Sequence, residues 1–257
     1  MKLKKQIYYL TENDEVVKFK SKPIKIDEHY KFLRSNIFYK IFSWFIYKVC
    51  ATPIAFIYFK LIKKIKFHNI GLLRKFRKGG YFIYSNHTNQ YADGFCPHLI
   101  CFPKKPHIIC NPDNISLCII GKFNKMCGAL PKPTTINAMK NFNFAIEKVL
   151  KQNNPIVIYP EAHLWPYYTK IRNFPASSFR FPVKFNKPVF TFTTVYIQNK
   201  PNKKPKTEIY VDGPFYPPAN LTEKEKQEEL KNVVYNNLVF HARKSNFEHV
   251  SYIRRDD

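Results

Sequence analysis

The chain has 257 residues, 45% of them hydrophobic, which suits one compact domain, or one domain plus an N-terminal extension. Lys and Arg number 43 against 18 Asp and Glu, a formal net charge of +25, and such an excess fits two partner classes, nucleic acid and an anionic membrane surface. The six cysteines (Cys50, Cys96, Cys101, Cys110, Cys118 and Cys127) include no C-x-x-C pair, and residues 1–22 lack the apolar core of a secretory signal. They are expected to be reduced, mostly buried small hydrophobes in a cytosolic setting, which argues against a disulfide framework or a zinc site.

Residues 1–35 are basic, polar and weakly periodic, and read as an arm or as short strands that pack late. Residues 36–66 are aromatic and aliphatic, punctuated by Lys40, Lys48 and Lys60 and closed by Lys63, Lys64 and Lys66. A spanning helix needs about 20 apolar residues. The longest uncharged run, residues 49–59, is roughly half of that and contains Pro53. The pattern therefore predicts an interfacial helix pair whose lysines snorkel to lipid phosphates, in preference to a buried hairpin or a bent transmembrane segment. Each surface lysine near anionic lipid contributes about 1 kcal/mol.

From residue 81 onward, strand and helix signals alternate. Short apolar runs at 81–85, 107–110 and 156–159 read as buried strands, and residues 189–197 and 207–211 as strands rich in β-branched and aromatic side chains. Residues 115–126 and 134–151 read as helices, the second with Ile136, Met139, Phe142, Ala145, Ile146 and Val149 on one face. Asn220 followed by Glu223 resembles a capping box. The helix after it carries Leu230, Val233, Val234, Asn237, Leu238 and His241 on one side. This alternation implies an α/β fold, a layered mixed sheet flanked by helices. The expected divisions are a basic arm (1–35), a membrane-interfacial helical segment (36–66) and a catalytic domain (67–257).

The sharpest chemical feature is Ser85-Asn86-His87-Thr88-Asn89-Gln90-Tyr91-Ala92-Asp93. His87 and Asp93 are six residues apart, about 240° on a continuous helix, so they would not face each other there. A loop leaving a buried strand can fold back and bring the carboxylate to the imidazole, with Asp93 near a helix N-terminus that favours its charge. One imidazole nitrogen then takes a proton from an attacking hydroxyl, while the other donates to the carboxylate. A second feature, Tyr159-Pro160-Glu161-Ala162-His163, also leaves a buried strand, with Trp165, Lys170, Arg172 and Arg180 close behind. Loops at strand ends are where α/β folds place ligands, and Arg and Lys suit phosphate. A third, Gly128-Ala129-Leu130-Pro131-Lys132-Pro133, reads as a turn or as a pocket wall bearing one cation.

In this order and at these intervals, the segments resemble the blocks of the glycerolipid acyltransferase family, which includes the 1-acyl-glycerol-3-phosphate acyltransferases, over residues 67–215. The family's N-H-x4-D block is matched by Asn86-His87 and Asp93 with five intervening residues, so the loop must bulge by one. Its P-E-G-[ST]-R block is matched by Pro160-Glu161-Ala162-His163, without the Gly and the Arg. Lys132 is the cation nearest to where the second block carries its Arg, and Pro188 leads the fourth block. The resemblance implies acyl transfer from a thioester on coenzyme A or acyl carrier protein to a lysophospholipid hydroxyl, with no metal and no bound cofactor. His87 would be the base and Asp93 its orienting partner. Asn86, Glu161, His163, Lys132, Lys170 and Arg172 would line the substrate site. The implied location is the cytoplasmic face of a membrane, with anionic lipid as partner. Two rival classes remain: a transacylase or hydrolase using the same dyad, and a non-catalytic basic peripheral protein. No G-x-S-x-G elbow supports a serine hydrolase. Aromatics lie in apolar runs instead of interleaving with Arg, which argues against nucleic acid.

Overall fold

The structure is a computed structural model and describes residues 5–17, 24–116, 118–200 and 204–255. Residues 1–4 and 18–23 of the expected arm, residue 117 of the expected helix and the Cys118 side chain lie outside the described residues. The strands are β1 (Lys5–Tyr9), β2 (Lys66–His68), β3 (Phe82–Ser85), β4 (His107–Cys110), β5 (Ala129–Pro131), β6 (Ile156–Ile158), β7 (Val189–Ile197), β8 (Lys206–Phe215) and β9 (Val250–Arg254). The α-helices are α1 (Ile37–Phe45), α2 (Thr52–Ala55), α3 (Gly71–Arg74), α4 (Ala92–Ile100), α5 (Asp113–Ser116), α6 (Cys118–Met126), α7 (Ala138–Lys151), α8 (Arg180–Phe185) and α9 (Glu223–Ala242).

Seven strands form one sheet in the order β2-β8-β7-β3-β6-β4-β5. From β7 to β5 every neighbouring pair is parallel, while β8 runs antiparallel to β7. The sheet is thus mixed and helix-flanked, as the alternating signals predict. β3 is buried at every residue because helices cover both sides of the sheet. Phe82 and Tyr84 enter a core with Phe142, Ile146 and Val149 of α7 and Leu230, Val234 and Leu238 of α9. Ile83 enters the opposite core with Ala92, Cys96 and Ile100 of α4. Burying β3 on both faces fixes its register, and with it the point at which the chain leaves the sheet towards His87.

Several boundaries differ from the sequence expectation. Residues 37–62 form one continuous helix, Ile37–Ile62, instead of a pair. Pro53 lies inside it. A proline lacks an N–H and crowds the carbonyl four residues back, and the chain accommodates this with π-helical turns at Ile46–Ala51 and Phe56–Ile62. By length and composition this helix could cross a membrane: its mean hydropathy is 1.5 and 22% of its most apolar stretch is buried. Ala55 and Phe59 join the core, Ser43 Oγ donates to Met126 O at 2.9 Å, and Lys48 Nζ donates to Pro103 O at 2.6 Å. Phe38, Trp44, Ile54 and Ile62 remain exposed.

The capping box of α9 sits two residues later than expected, with Thr222 as N-cap and Glu225 as its reciprocal partner. Asn220 instead takes the left-handed conformation, φ 60°. Val233 is exposed, although Leu230, Val234, Leu238 and His241 are buried as the pattern predicts. The segment 129–131 is a strand because it completes the sheet edge beside β4. Finally, β1 pairs in parallel with β9, which brings the first and last described segments together.

Candidate active site

The site lies where β3 and β6, adjacent and parallel, end side by side. Asn86 is the first residue past β3 and is buried. Its amide donates to Thr194 O at 3.0 Å, and its oxygen accepts from Thr194 N at 2.8 Å. This clamp to β7 fixes where the chain turns. His87 follows, and Thr88 is tied down by its hydroxyl donating to Tyr168 O at 2.8 Å. Asn89 then starts the next helix: its side chain accepts from Ala92 N at 3.0 Å, occupying one of the free N–H groups of α4.

This fold-back places Asp93 against His87. His87 Nδ1 and Asp93 Oδ2 are 2.8 Å apart, and the same carboxylate oxygen accepts from Asn89 N at 3.0 Å. The additional residue in the interval does not separate the pair, because Gln90 and Tyr91 form a turn and the Tyr91 side chain is exposed. Asp93 is buried, whereas 24% of the His87 side chain is accessible. Burial pushes the Asp93 carboxyl up, opposed by the hydrogen bonds from His87 and Asn89. Tyr159 stacks on the imidazole with ring centroids 4.5 Å apart, and its hydroxyl donates to Asp93 O at 2.5 Å. With Nδ1–H held by the carboxylate, Nε2 carries the lone pair, and it has no hydrogen-bond partner among the described residues.

The loop after β6 is built differently. Glu161 Oε2 accepts from His87 N at 3.1 Å, and Oε1 accepts from Arg172 N at 3.0 Å. Arg172 Nη2 reaches Glu161 Oε2 at 3.2 Å and also donates to His163 O, while Nη1 donates to Glu12 O at 3.0 Å. The guanidinium lies over Trp165, 4.6 Å from the ring, and is 1% exposed. Burial raises the Glu161 carboxyl, and the neighbouring guanidinium opposes it.

A cavity of about 1470 Å³ opens onto these loops. It is larger than the usual several-hundred-Å³ pocket for a small ligand. His87, Asp93, Glu161, His163 and Lys132 all line it, together with apolar Ile109, Phe142, Ile158, Phe174 and Phe181. Three residues that the sequence marks for substrate are placed elsewhere. Lys170 is exposed and outside the lining, and Asn86 and Arg172 are buried behind it, with the Asn86 amide and both terminal guanidinium nitrogens engaged internally and Arg172 Nε buried without a hydrogen-bond partner among the described residues. Tyr159, Asn89 and Glu12 contribute to the site without having been marked for a role. Tyr159 belongs to the quoted motif. Asn89 could be found as the polar residue three before a helical N–H. Glu12 carries no local signal, since Arg172 lies 160 residues away.

No family model matches the chain, and no curated protein matches it. Among solved structures it is similar to the crystal structure of the 1-acyl-sn-glycerophosphate (LPA) acyltransferase, PlsC, from Thermotoga maritima. The identity is 16% over 83% of this chain and 98% of that one, with a TM-score of 0.49.

Proposed function

We propose that this protein transfers a fatty-acyl group from a thioester, on coenzyme A or acyl carrier protein, to the hydroxyl of a lysophospholipid of the 1-acyl-glycerol-3-phosphate type. The carrying observation is the 2.8 Å contact between His87 Nδ1 and Asp93 Oδ2, set at a wide apolar cavity with the second imidazole nitrogen free. His87 Nε2 takes the proton of the acceptor hydroxyl as its oxygen attacks the thioester carbon. The tetrahedral intermediate collapses, the C–S bond breaks, and the thiolate recovers the proton from the imidazolium. Asp93 holds the required tautomer and stabilises the imidazolium while it exists. This chemistry calls for neither a metal nor a bound cofactor.

Membrane association supports the same reading. Helix Ile37–Ile62 exposes Phe38, Trp44, Ile54 and Ile62, while Lys40, Lys63 and Lys64 are exposed along and just after it. Apolar side chains entering the acyl boundary with lysines at the headgroups would hold the protein on an anionic, cytoplasmic-facing leaflet, where lysophospholipid resides.

The test is a purified-protein assay with acyl-coenzyme A against a panel of lysophospholipids. Esterified product is expected, and His87→Ala should slow it by about 10²–10⁴ with folding and liposome binding intact. Turnover retained in that variant removes His87 from the chemistry. Release of free fatty acid without esterified product would point to a hydrolase.

A further inference from the structure

Residues 165–168 run beside the base. Trp165 N donates to His87 O at 3.1 Å, and Tyr167 N donates to Thr88 O at 2.7 Å. The Thr88 hydroxyl donates in return to Tyr168 O. The main chain of His87 is therefore held on both sides by the loop after β6, its N–H by the Glu161 carboxylate and its carbonyl by Trp165. The first hold is secured by the buried pair of Glu161 with Arg172. The second depends on what fixes Trp165.

That support comes from the ribbon of β1 and β9, two strands that pair outside the main sheet. Tyr252 of β9 stacks on Trp165 with centroids 5.0 Å apart and planes 5° from parallel, and its hydroxyl donates to Pro166 O at 2.8 Å. Tyr9 of β1 meets the indole edge-on at 4.7 Å, and Tyr168 meets it edge-on at 5.1 Å. Trp165 Nε1 donates to Asp14 O at 2.9 Å, and the Arg172 guanidinium lies over the ring. A ring held by both stacked and edge-on partners keeps little freedom to turn. Trp165 is buried, and neither it nor Tyr9 nor Tyr252 lines the cavity, so this aromatic cluster faces the protein and not a ligand.

Proton transfer demands exact placement, and a displacement of about 1 Å costs about 10²-fold in rate. We propose that Trp165 is a positioning residue for His87 and that the β1–β9 ribbon acts through it. The ribbon fixes the indole, the Trp165 N–H fixes the His87 carbonyl, and the imidazole is thereby set with Nδ1 on Asp93 and Nε2 towards the acceptor hydroxyl. Tyr9 and Tyr252 thus serve the chemistry without touching either substrate. The choice of assay rests on the acyl-transfer reading above, whereas the placement of the imidazole is read separately.

The experiment uses the full chain with acyl-coenzyme A and lysophosphatidate. Tyr252→Leu removes the stack and the hydroxyl but keeps apolar bulk. Its kcat should fall about tenfold or more, with both KM values within about twofold of wild type. Tyr252→Phe keeps the stack and should restore most of the rate. Phe76→Leu removes a ring contact of similar length, 5.1 Å to Phe190, near the start of β3 and away from the base. It should lower Tm and leave kcat alone. The second readout is the low-field proton resonance of His87 Nδ1–H on Asp93, assigned by its loss in His87→Ala. Tyr252→Leu should shift or broaden it, and Phe76→Leu should not. A Tyr252→Leu protein in which either kcat or the resonance is unmoved overturns the proposal. So does a rise in KM at constant kcat, which would put the ribbon on substrate. If Tyr252→Leu does not fold, Tyr9→Leu, which removes the edge-on contact, is read by the same criteria. If the wild type esterifies nothing, the acyl-transfer reading fails, and the resonance alone decides whether the ribbon sets the imidazole.

Discussion

The loops after β3 and β6 lie side by side, yet they handle charged groups in opposite ways. In the β3 loop, a partly accessible imidazole keeps one nitrogen unengaged while a buried carboxylate holds the other. In the β6 loop, Glu161 and Arg172 are both buried, and the carboxylate and the two terminal guanidinium nitrogens bond each other and neighbouring backbone, with Nε alone unpaired among the described residues. A group with a spare lone pair at a cavity can move a proton. A group whose valences are consumed holds shape. The two loops are joined where Glu161 accepts the His87 N–H, so the closed loop fixes the open one.

The largest expected effect tests the open loop. Asp93→Asn keeps the size of the side chain but offers His87 a different hydrogen-bond pattern, so the imidazole loses the tautomer that leaves Nε2 basic. The acyl-transfer rate should fall by about 10²–10⁴, with little change in Tm. The closed loop should answer in the opposite sense. Arg172→Ala strands a buried Glu161 carboxylate, and breaking a buried pair by removing one partner costs about 3–5 kcal/mol. Thermal unfolding should show a large drop in Tm. If Arg172→Ala keeps its Tm and loses affinity for acceptor alone, Arg172 contacts substrate and the contrast between the loops disappears.

These assignments show how far the sequence reaches. His87, Asp93 and Glu161 are legible because each follows a short apolar strand, and burial on both faces makes such strands visible as unbroken hydrophobic runs. The fate of Arg172 is not legible. Its spacing from Glu161 suits a phosphate site as well as an internal pair, and the deciding partner, Glu12, is 160 residues away in the weakly periodic N-terminal segment. The long helix is misread at Pro53 for a related reason. Local rules place a break there, but π-helical turns on either side carry the helix through. The edge strand β5 is missed because three residues ending in Pro131 look like a turn until β4 pairs with them.

Histidines of one cavity sharpen the comparison further. His98 also lines the cavity, but it is 5% exposed, and His107 nearby is 8% exposed. Burial, reinforced by the Lys105 charge, lowers both to about 3. The sign follows from linkage. The unfolded chain binds these protons near pH 6.5 and the folded chain does not. Their stability contribution is therefore complete above pH 6.5 and is lost as pH falls towards 3. By pH 5 each should cost about 2 kcal/mol. Tm should decline between pH 7 and pH 5, and His98→Gln should flatten the decline. A Tm independent of pH over that interval would mean that these imidazoles are not held neutral.

The smallest effect concerns the closed loop's own backbone. Ala162 sits at φ 63°, the left-handed region that a Cβ disfavours by roughly 1–2 kcal/mol. It is the position where the resembled family carries Gly, and its exposed side chain is not part of the buried core. Ala162→Gly removes the strain and returns part of the gain as unfolded-chain entropy. The net stabilisation should be about 0.5–1 kcal/mol, or about 1–3 °C in Tm for a domain of this size. Because Glu161 stays tied to Arg172 and to His87 N, the acyl-transfer rate should not change. A faster variant would show that strain at Ala162 reaches the base through Glu161, and the two loops would then have to be treated as one mechanical unit.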